Sequence, residues 1–140
     1  MTVEQIVNEE AITIENFECD GASRVLSYRL TQAGINHKIY AGQLIGLKGV
    51  LISLHVWIKL HDGRILDTKA RMWAGNSAPH GLFFPDEFPD FHYVGEPARL
   101  EASKSIYDVL VIDAQLSKGI AKQMKELMLL RTAAQSQSGA

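Results

Sequence analysis

The sequence contains a single cysteine, Cys19, in 140 residues. One cysteine excludes an internal disulfide, which agrees with a reducing compartment. Excess charge is also lacking, since 14 Lys and Arg nearly balance 16 Asp and Glu. A net charge of -2 creates no strong field for polyanions, so we expect neither nucleic acid nor a membrane surface as a partner.

Long apolar runs and a targeting segment are missing from the chain. No stretch approaches the length of a membrane span, and the acidic N-terminus lacks the basic and apolar regions of a secretion signal. With 46% hydrophobic residues, a chain of this length buries one ordinary core. We predict a cytoplasmic protein with one domain over residues 1–133 and a disordered polar tail over residues 134–140.

Motifs that bind phosphate or metal are absent as well. The glycines fit neither the G-x-x-x-x-G-K-[ST] nor the G-x-G-x-x-G pattern that cradles phosphate groups. A zinc site needs several histidines or cysteines at short fixed spacings. Four of the histidines have no partner at such a spacing: His37, His61, His80 and His92. We expect no cofactor and no metal.

Helical periodicity is present near both ends of the chain. Thr2 and Gln5 have the spacing of a capping box, which predicts a short first helix. From Phe17 to Ala33 apolar residues recur every three or four positions, which predicts an amphipathic helix on a sheet, ended by Gly34. A final helix is predicted over residues 117–132, and these side chains are expected to be buried: Ile120, Ala121, Met124, Leu127 and Met128.

Period-2 patterns in the middle of the chain predict strands at residues 38–45, 50–60, 64–68 and 107–113. In the second strand His55 and Trp57 lie on the face opposite the main apolar row. Residues 74–98 hold all four prolines and no sustained period, which predicts a long surface loop. The aromatic and acidic run in that loop, residues 83–91, either forms a lid or partner-binding rim or simply covers the sheet.

The turn of the hairpin around Asp62 decides whether His55 and Asp67 can meet. A two-residue turn at Asp62-Gly63 places the two side chains on opposite faces. A three-residue loop with Gly63 as a bulge makes them diagonal neighbours on one face, within reach of a hydrogen bond. The alternative to this pairing is a simple turn with a solvated histidine and aspartate. We predict the three-residue loop.

Cys19 is the candidate nucleophile. With Asn16 as the N-cap of the following helix, Cys19 falls in the first turn, where open backbone amides and the helix dipole stabilise a thiolate. The general base is then His55, and Asp67 orients its ring. The oxyanion donors are the Cys19 amide and a side chain such as Asn16, with residues 5 and 8 as alternatives. A lone cysteine is otherwise a small buried apolar residue.

These motifs, in this order, resemble the core of the transglutaminase-like branch of the papain-like cysteine peptidase superfamily. In that branch a cysteine opens a helix, here Cys19, and a Gly-Ile pair follows, here residues 34–35. A strand ending in glycine comes next, here at Gly42, and then a His-x-Trp strand, here residues 55–57. An aspartate and a short pair such as Pro-Thr complete the set, here residues 67–68 without the proline.

The resemblance covers about residues 16 to 70, half of the chain. It implies an α+β fold with a papain-like, transglutaminase-like core, in which N-terminal helices pack on an antiparallel sheet and a C-terminal helix follows. It also implies thiol acyl-transfer chemistry on a peptide or protein amide, with a Cys19, His55 and Asp67 triad. Trp57 and Trp73 are candidates for walls of the substrate cleft, or else core residues.

Two classes of function are therefore expected from the sequence. The first is a small cysteine-dependent amide or peptide hydrolase, or acyltransferase, that works through an acyl-thioester on Cys19. The second is a non-catalytic protein of the same fold that binds a protein partner. The sequence fixes neither the substrate nor the oligomeric state.

Overall fold

Two helices open the chain in the computed structural model, which describes residues 1–100 and 102–138. Helix α1, Val3–Ile14, starts at the predicted capping box: the Thr2 hydroxyl accepts from the Gln5 amide, and the Gln5 side chain accepts from the Thr2 amide. Helix α2, Cys19–Gln32, matches the predicted amphipathic helix closely. It ends at Gly34, whose positive φ of 73° lets the chain leave the helix in a left-handed turn.

Five antiparallel strands form one sheet in the order β4-β3-β2-β1-β5 within the described chain. The strands are β1 His37–Gly46, β2 Gly49–Leu60, β3 Ile65–Asp67, β4 Gly81–Phe83 and β5 His92–Pro97. The first three lie where the period-2 patterns predicted them. The chain is thus an α+β protein with helices beside an antiparallel sheet, as expected.

The hairpin between β2 and β3 has the predicted register. Ile58 pairs with Leu66 and Lys59 with Ile65, which leaves a three-residue loop at its end. Gly63 in that loop has a φ of 94°, and its amide donates to the Leu60 carbonyl. A residue with a β-carbon would be strained at this φ, so the glycine sets the odd loop length.

The two faces of the sheet bury different side chains because residues alternate along each strand. One face packs on α1 and α2 through an aliphatic core: Val3, Ile6, Val25, Leu26, Leu30, Ile39, Val56, Ile58, Leu60 and Leu66. The other face carries an aromatic cluster: Tyr40, Trp57, Phe83, Phe88 and Tyr93. His55 and Asp67 belong to β2 and β3 at the centre of this arrangement.

The prediction of a strand at residues 107–113 is wrong, because this segment lies in helix α4, Lys104–Ser138. The Ser103 hydroxyl accepts from the Ile106 amide at 3.3 Å, so the helix begins with a side-chain cap. Tyr107 and Leu110 pack against the core formed with α1 and α2. A short apolar run is compatible with both a strand and a helix, and here the packing of Tyr107 and Leu110 on the core stabilises the helix.

The predicted final helix, residues 117–132, is the outer part of α4. Its predicted core side chains are exposed, contrary to the prediction, because the helix extends beyond the sheet and the other helices: Ile120, Ala121, Met124, Leu127 and Met128. The helix continues to Ser138, through most of the tail predicted to be disordered, and residues 139 and 140 lie outside the described residues. No helix in the described ranges is both long and apolar enough to cross a membrane.

The predicted loop over residues 74–98 contains regular structure instead. Strands β4 and β5 pair with β3 and β1 at opposite edges of the sheet, and a 3-10 turn, Pro85–Glu87, lies between them. Gly95 allows β5 to approach β1, since a β-carbon there would lie 2.4 Å from the Ala41 carbonyl oxygen. Short strands interrupted by prolines show no clear alternation of apolar and polar residues, which is why the sequence predicted a loop.

Candidate active site

His55 and Asp67 form a buried hydrogen-bonded pair at the centre of the sheet. The His55 Nε2 group donates to Asp67 Oδ2 at 2.6 Å, and the side chains are 0% and 1% exposed. His55 lies in β2, and Asp67 is the last residue of β3. The predicted register therefore brings these two candidate residues together.

The Asp67 carboxylate is held on both oxygens. Oδ2 also accepts from the Tyr93 hydroxyl at 2.7 Å, and Oδ1 accepts from the backbone amides of Lys69 and Ala70 at 3.0 and 3.1 Å. Four donors satisfy the charge and fix the plane of the carboxylate, so that the imidazole it binds has one orientation. Burial raises the pKa of Tyr93 above its usual value, and the Asp67 carboxylate raises it further, so the phenol stays a neutral donor.

The charge of His55 follows from its neighbours. Burial alone lowers the pKa of the imidazole, but the hydrogen bond to Asp67 and the nearby Cys19 thiol outweigh burial and raise the pKa to about 9. The ring therefore carries a proton on both nitrogens at pH 7. Nε2–H is used by Asp67, and the buried Nδ1 has no hydrogen-bond partner among the described residues.

Cys19 is the first residue of α2 and is partly exposed. The residue at the cap position, Glu18, makes no side-chain capping bond within the described chain, so the amides of the first turn stay open. The nearby thiol helps to raise the pKa of the His55 ring, but the buried Nδ1 makes no hydrogen bond to it within the described chain. The structure therefore shows the His55–Asp67 pair with the thiol near it, and the Cys19–His55–Asp67 triad stays a prediction.

A small cavity of about 10 Å³ adjoins the thiol. Its walls include Cys19, Ser23, Asp67, Thr68 and Lys69. A space of this size holds about one water molecule. The Thr68 hydroxyl is buried without a hydrogen-bond partner in the described part of the chain, so the cavity has a polar wall.

Lys69 is a buried cation beside this cavity. Its ammonium donates to the backbone carbonyl of Glu15 at 3.0 Å and ties the start of α3, Arg71–Ala74, to the turn before α2. Burial lowers the pKa of Lys69, and the Glu15 carboxylate opposes this shift. Lys69 therefore holds the segment after Asp67 against the turn that leads to Cys19.

Three further candidates from the sequence occupy other positions. Asn16 is exposed in the turn before α2 and is not the cap residue, which is Glu18, because α2 starts two residues later than predicted. Trp57 is 2% exposed within the aromatic cluster, although it also borders a cavity of about 570 Å³ along β1, β2 and β5. Trp73 is 62% exposed on α3.

Tyr93, Thr68 and Lys69 are site residues that the sequence did not predict. Tyr93 was not predicted because its strand was predicted to be a loop, and β5 has no alternation of buried and exposed residues that could have revealed it. Thr68 and Lys69 follow Asp67 directly in the sequence, so their closeness to the His55–Asp67 pair could be predicted. The direction in which each side chain points could not be predicted, because the chain turns there from β3 into α3.

In comparisons with known proteins, no protein-family model, no curated protein and no solved structure matches the chain. Among the described residues, no group of three or more histidine, cysteine, aspartate or glutamate side chains is placed to hold a metal ion.

Proposed function

We propose that the chain is a cysteine-dependent amide or peptide hydrolase, or acyltransferase, of the transglutaminase-like type. The observation that carries this proposal is a buried imidazole that donates to a fully hydrogen-bonded carboxylate, has its pKa raised to about 9, and lies near a partly exposed thiol. An acid that orients the base, a base beside the nucleophile and an open helix start are the parts that nucleophilic catalysis needs.

In the proposed reaction His55 holds the proton and Cys19 attacks as the thiolate. The sulfur forms a bond to the carbonyl carbon of the substrate, and the carbonyl oxygen becomes negative. When the tetrahedral intermediate collapses, the carbon–nitrogen bond breaks and His55 Nδ1–H protonates the leaving amine. Water or another amine then attacks the thioester while His55 takes its proton, which releases the product and restores the thiolate.

The developing oxyanion is proposed to bind at the start of α2. The Cys19 amide points out of the first turn, where the helix dipole is positive and no side-chain cap competes within the described chain. The buried Thr68 hydroxyl is the candidate for the second donor, because it borders the same cavity as the thiol. Asn16 is less suited to this role, since it is exposed in the turn.

A non-catalytic binding module is the second candidate. The observation that favours it is the closed geometry around the thiol, where the cavity of about 10 Å³ has room for a water but not for an acyl group. In a binding module the partner would bind elsewhere on the fold, and Cys19, His55 and Asp67 would only stabilise the core.

Alkylation of Cys19 by iodoacetamide between pH 5.5 and 9.5 tests the proposal, followed by intact mass. The thiol is the only one in the chain, so labelling reports Cys19 alone. A thiolate paired with imidazolium reacts at a rate that stays nearly flat from about pH 6 upwards, whereas an ordinary thiol gains reactivity about tenfold per unit towards pH 8.5.

A burst of nitrophenolate from p-nitrophenyl acetate would then report acylation of the sulfur. The Cys19→Ala variant is the control and should give no burst and no acetyl adduct. An ordinary thiol profile together with no burst would contradict the enzyme and favour the binding module.

A further inference from the structure

Helix α4 carries an exposed apolar stripe along one side. The side chains recur at steps of three and four residues, which places them on one face of the helix. The stripe consists of Val109, Ile112, Leu116, Ile120, Met124, Leu127 and Leu130, with Met128 at its margin, and each is more than half exposed. Over this length a helix spans about 33 Å.

The stripe is turned away from the body of the protein. Tyr107, Leu110 and Ala114 are the α4 residues that pack inward, and they lie about a third of a turn away from the stripe. From residue 119 to residue 134 every side chain is exposed, so this part of the helix projects from the fold. A soluble helix with such a face needs a partner that covers it.

We propose that α4 pairs with α4 of a second copy of this chain in an antiparallel, two-fold symmetric dimer. The stripe is long enough for this role, because its side chains together would bury on the order of 800 Å² per partner, the amount typical of a stable interface. When the same surface of two copies forms an interface, the copies are usually related by a two-fold axis.

Charges within the stripe favour the antiparallel direction. Asp113 and Arg131 are both exposed and lie 18 residues apart, which is five full turns, so they share one angle around the helix, between those of Ile120 and Met124. In an antiparallel pair centred near residue 122, Asp113 of one copy lies level with Arg131 of the other, twice by symmetry. A parallel pair in register would instead bring like charges to the same level.

The apolar side chains agree with the same register. About this centre, Leu116 lies level with Met128 of the second copy, and Ile120 lies level with Met124. Large apolar groups therefore meet at these central levels of the seam, where methionine adapts to the gaps, while nearer the ends Leu127 lies level with Ser117 and Ile112 with Thr132. The lysines of this helix lie on the opposite side, away from the seam, so they do not repel one another across it.

Light scattering after size exclusion, over loading concentrations from about 1 to 200 µM, tests the dimer. The wild-type chain should have the mass of a dimer, and Leu127→Glu, in the stripe, should be a monomer. Leu129→Glu is the matched control, because Leu129 is equally exposed but lies on the other side of the helix. It should leave the dimer intact. Circular dichroism of both variants separates loss of pairing from loss of fold.

The antiparallel direction of the two α4 helices is tested by charge reversal. Asp113→Arg should weaken dimerisation about tenfold, and the double variant Asp113→Arg with Arg131→Asp should restore it. A wild-type chain that stays monomeric throughout, or equal effects of the two leucine variants, would overturn the proposal. So would binding of the monomer to vesicles of anionic phospholipid with the stripe as the contact, since this would assign the surface to lipid.

Discussion

Helix α2 presents two side chains to histidines, and the two pairs differ in what lies behind the ring. At its start, Cys19 lies beside His55, which donates to the carboxylate of Asp67. Further along, the Ser27 hydroxyl lies 2.6 Å from His37 Nε2, and His37 Nδ1–H donates to the Ile35 carbonyl at 2.8 Å. The first pair ends in a negative group, and the second ends in a neutral one.

This difference decides what each pair can do. A carbonyl behind the ring fixes the tautomer, so that in the neutral ring Nε2 accepts from the serine hydroxyl and the bond ties α2 to the start of β1. A carboxylate stabilises the imidazolium and so favours a charged neighbour. Position matters as well, because Ser27 lies inside the helix, where the amides are already bonded, while Cys19 has open amides around it.

The difference between the two histidine pairs is tested first by removing the charge of Asp67. Asp67→Asn keeps the shape but leaves a buried imidazolium without its counter-ion, and the new amide group faces donors. We expect it to lower the free energy of unfolding by about 3 to 5 kcal/mol at pH 7, measured with urea. The matched Ser27→Ala variant removes one neutral hydrogen bond and should lower it by about 1 kcal/mol. Equal losses in the two variants would mean that both pairs are simply structural.

Much of this site was predictable from the sequence, and the reason is local geometry. The Asp-Gly turn with an odd loop length fixes the register of β2 and β3, so His55 and Asp67 had to share a face. Apolar periodicity predicted α2 and placed Cys19 in its first turn, but the start was predicted two residues too early, since Glu18 makes no side-chain capping bond within the described chain that a pattern could reveal.

The remaining parts depend on contacts between distant segments. Tyr93 reaches Asp67 only because β5 pairs with β1 at the far edge of the sheet, and its short strand has no clear alternation. The segment at Tyr107 became a helix because α1 and α2 offer it a surface, with Glu10 accepting from the Tyr107 hydroxyl. Periodicity also cannot tell a face buried in a core from one exposed on a projecting helix, which is why the outer residues of α4 were predicted as buried.

The second test uses the pH dependence of stability. The folded chain keeps a proton on His55 up to about pH 9, whereas the unfolded chain releases it near 6.5. The stabilisation is therefore complete below pH 6.5 and is lost as pH rises towards 9, by about 3 kcal/mol in total. Urea unfolding at several pH values should show this fall in the wild-type chain and in His37→Gln, but not in His55→Gln. A His55→Gln variant with the wild-type slope would contradict the assigned charge.

The third and smallest expected effect concerns the reactivity of the thiol. At pH 6.5 an ordinary thiol is only about 1% ionised, so losing the imidazolium should slow iodoacetamide labelling of Cys19 by up to about 100-fold in His55→Gln. His37→Gln changes a histidine that lies beside Ser27 instead, so its labelling rate should stay within about twofold of the wild-type rate. Labelling that slows equally in both variants would mean that the thiol responds to the stability of the fold. Slowing in His55→Gln alone would tie the reactivity of the thiol to the ring beside it, because the two substitutions remove the same chemical group from beside two different positions of α2.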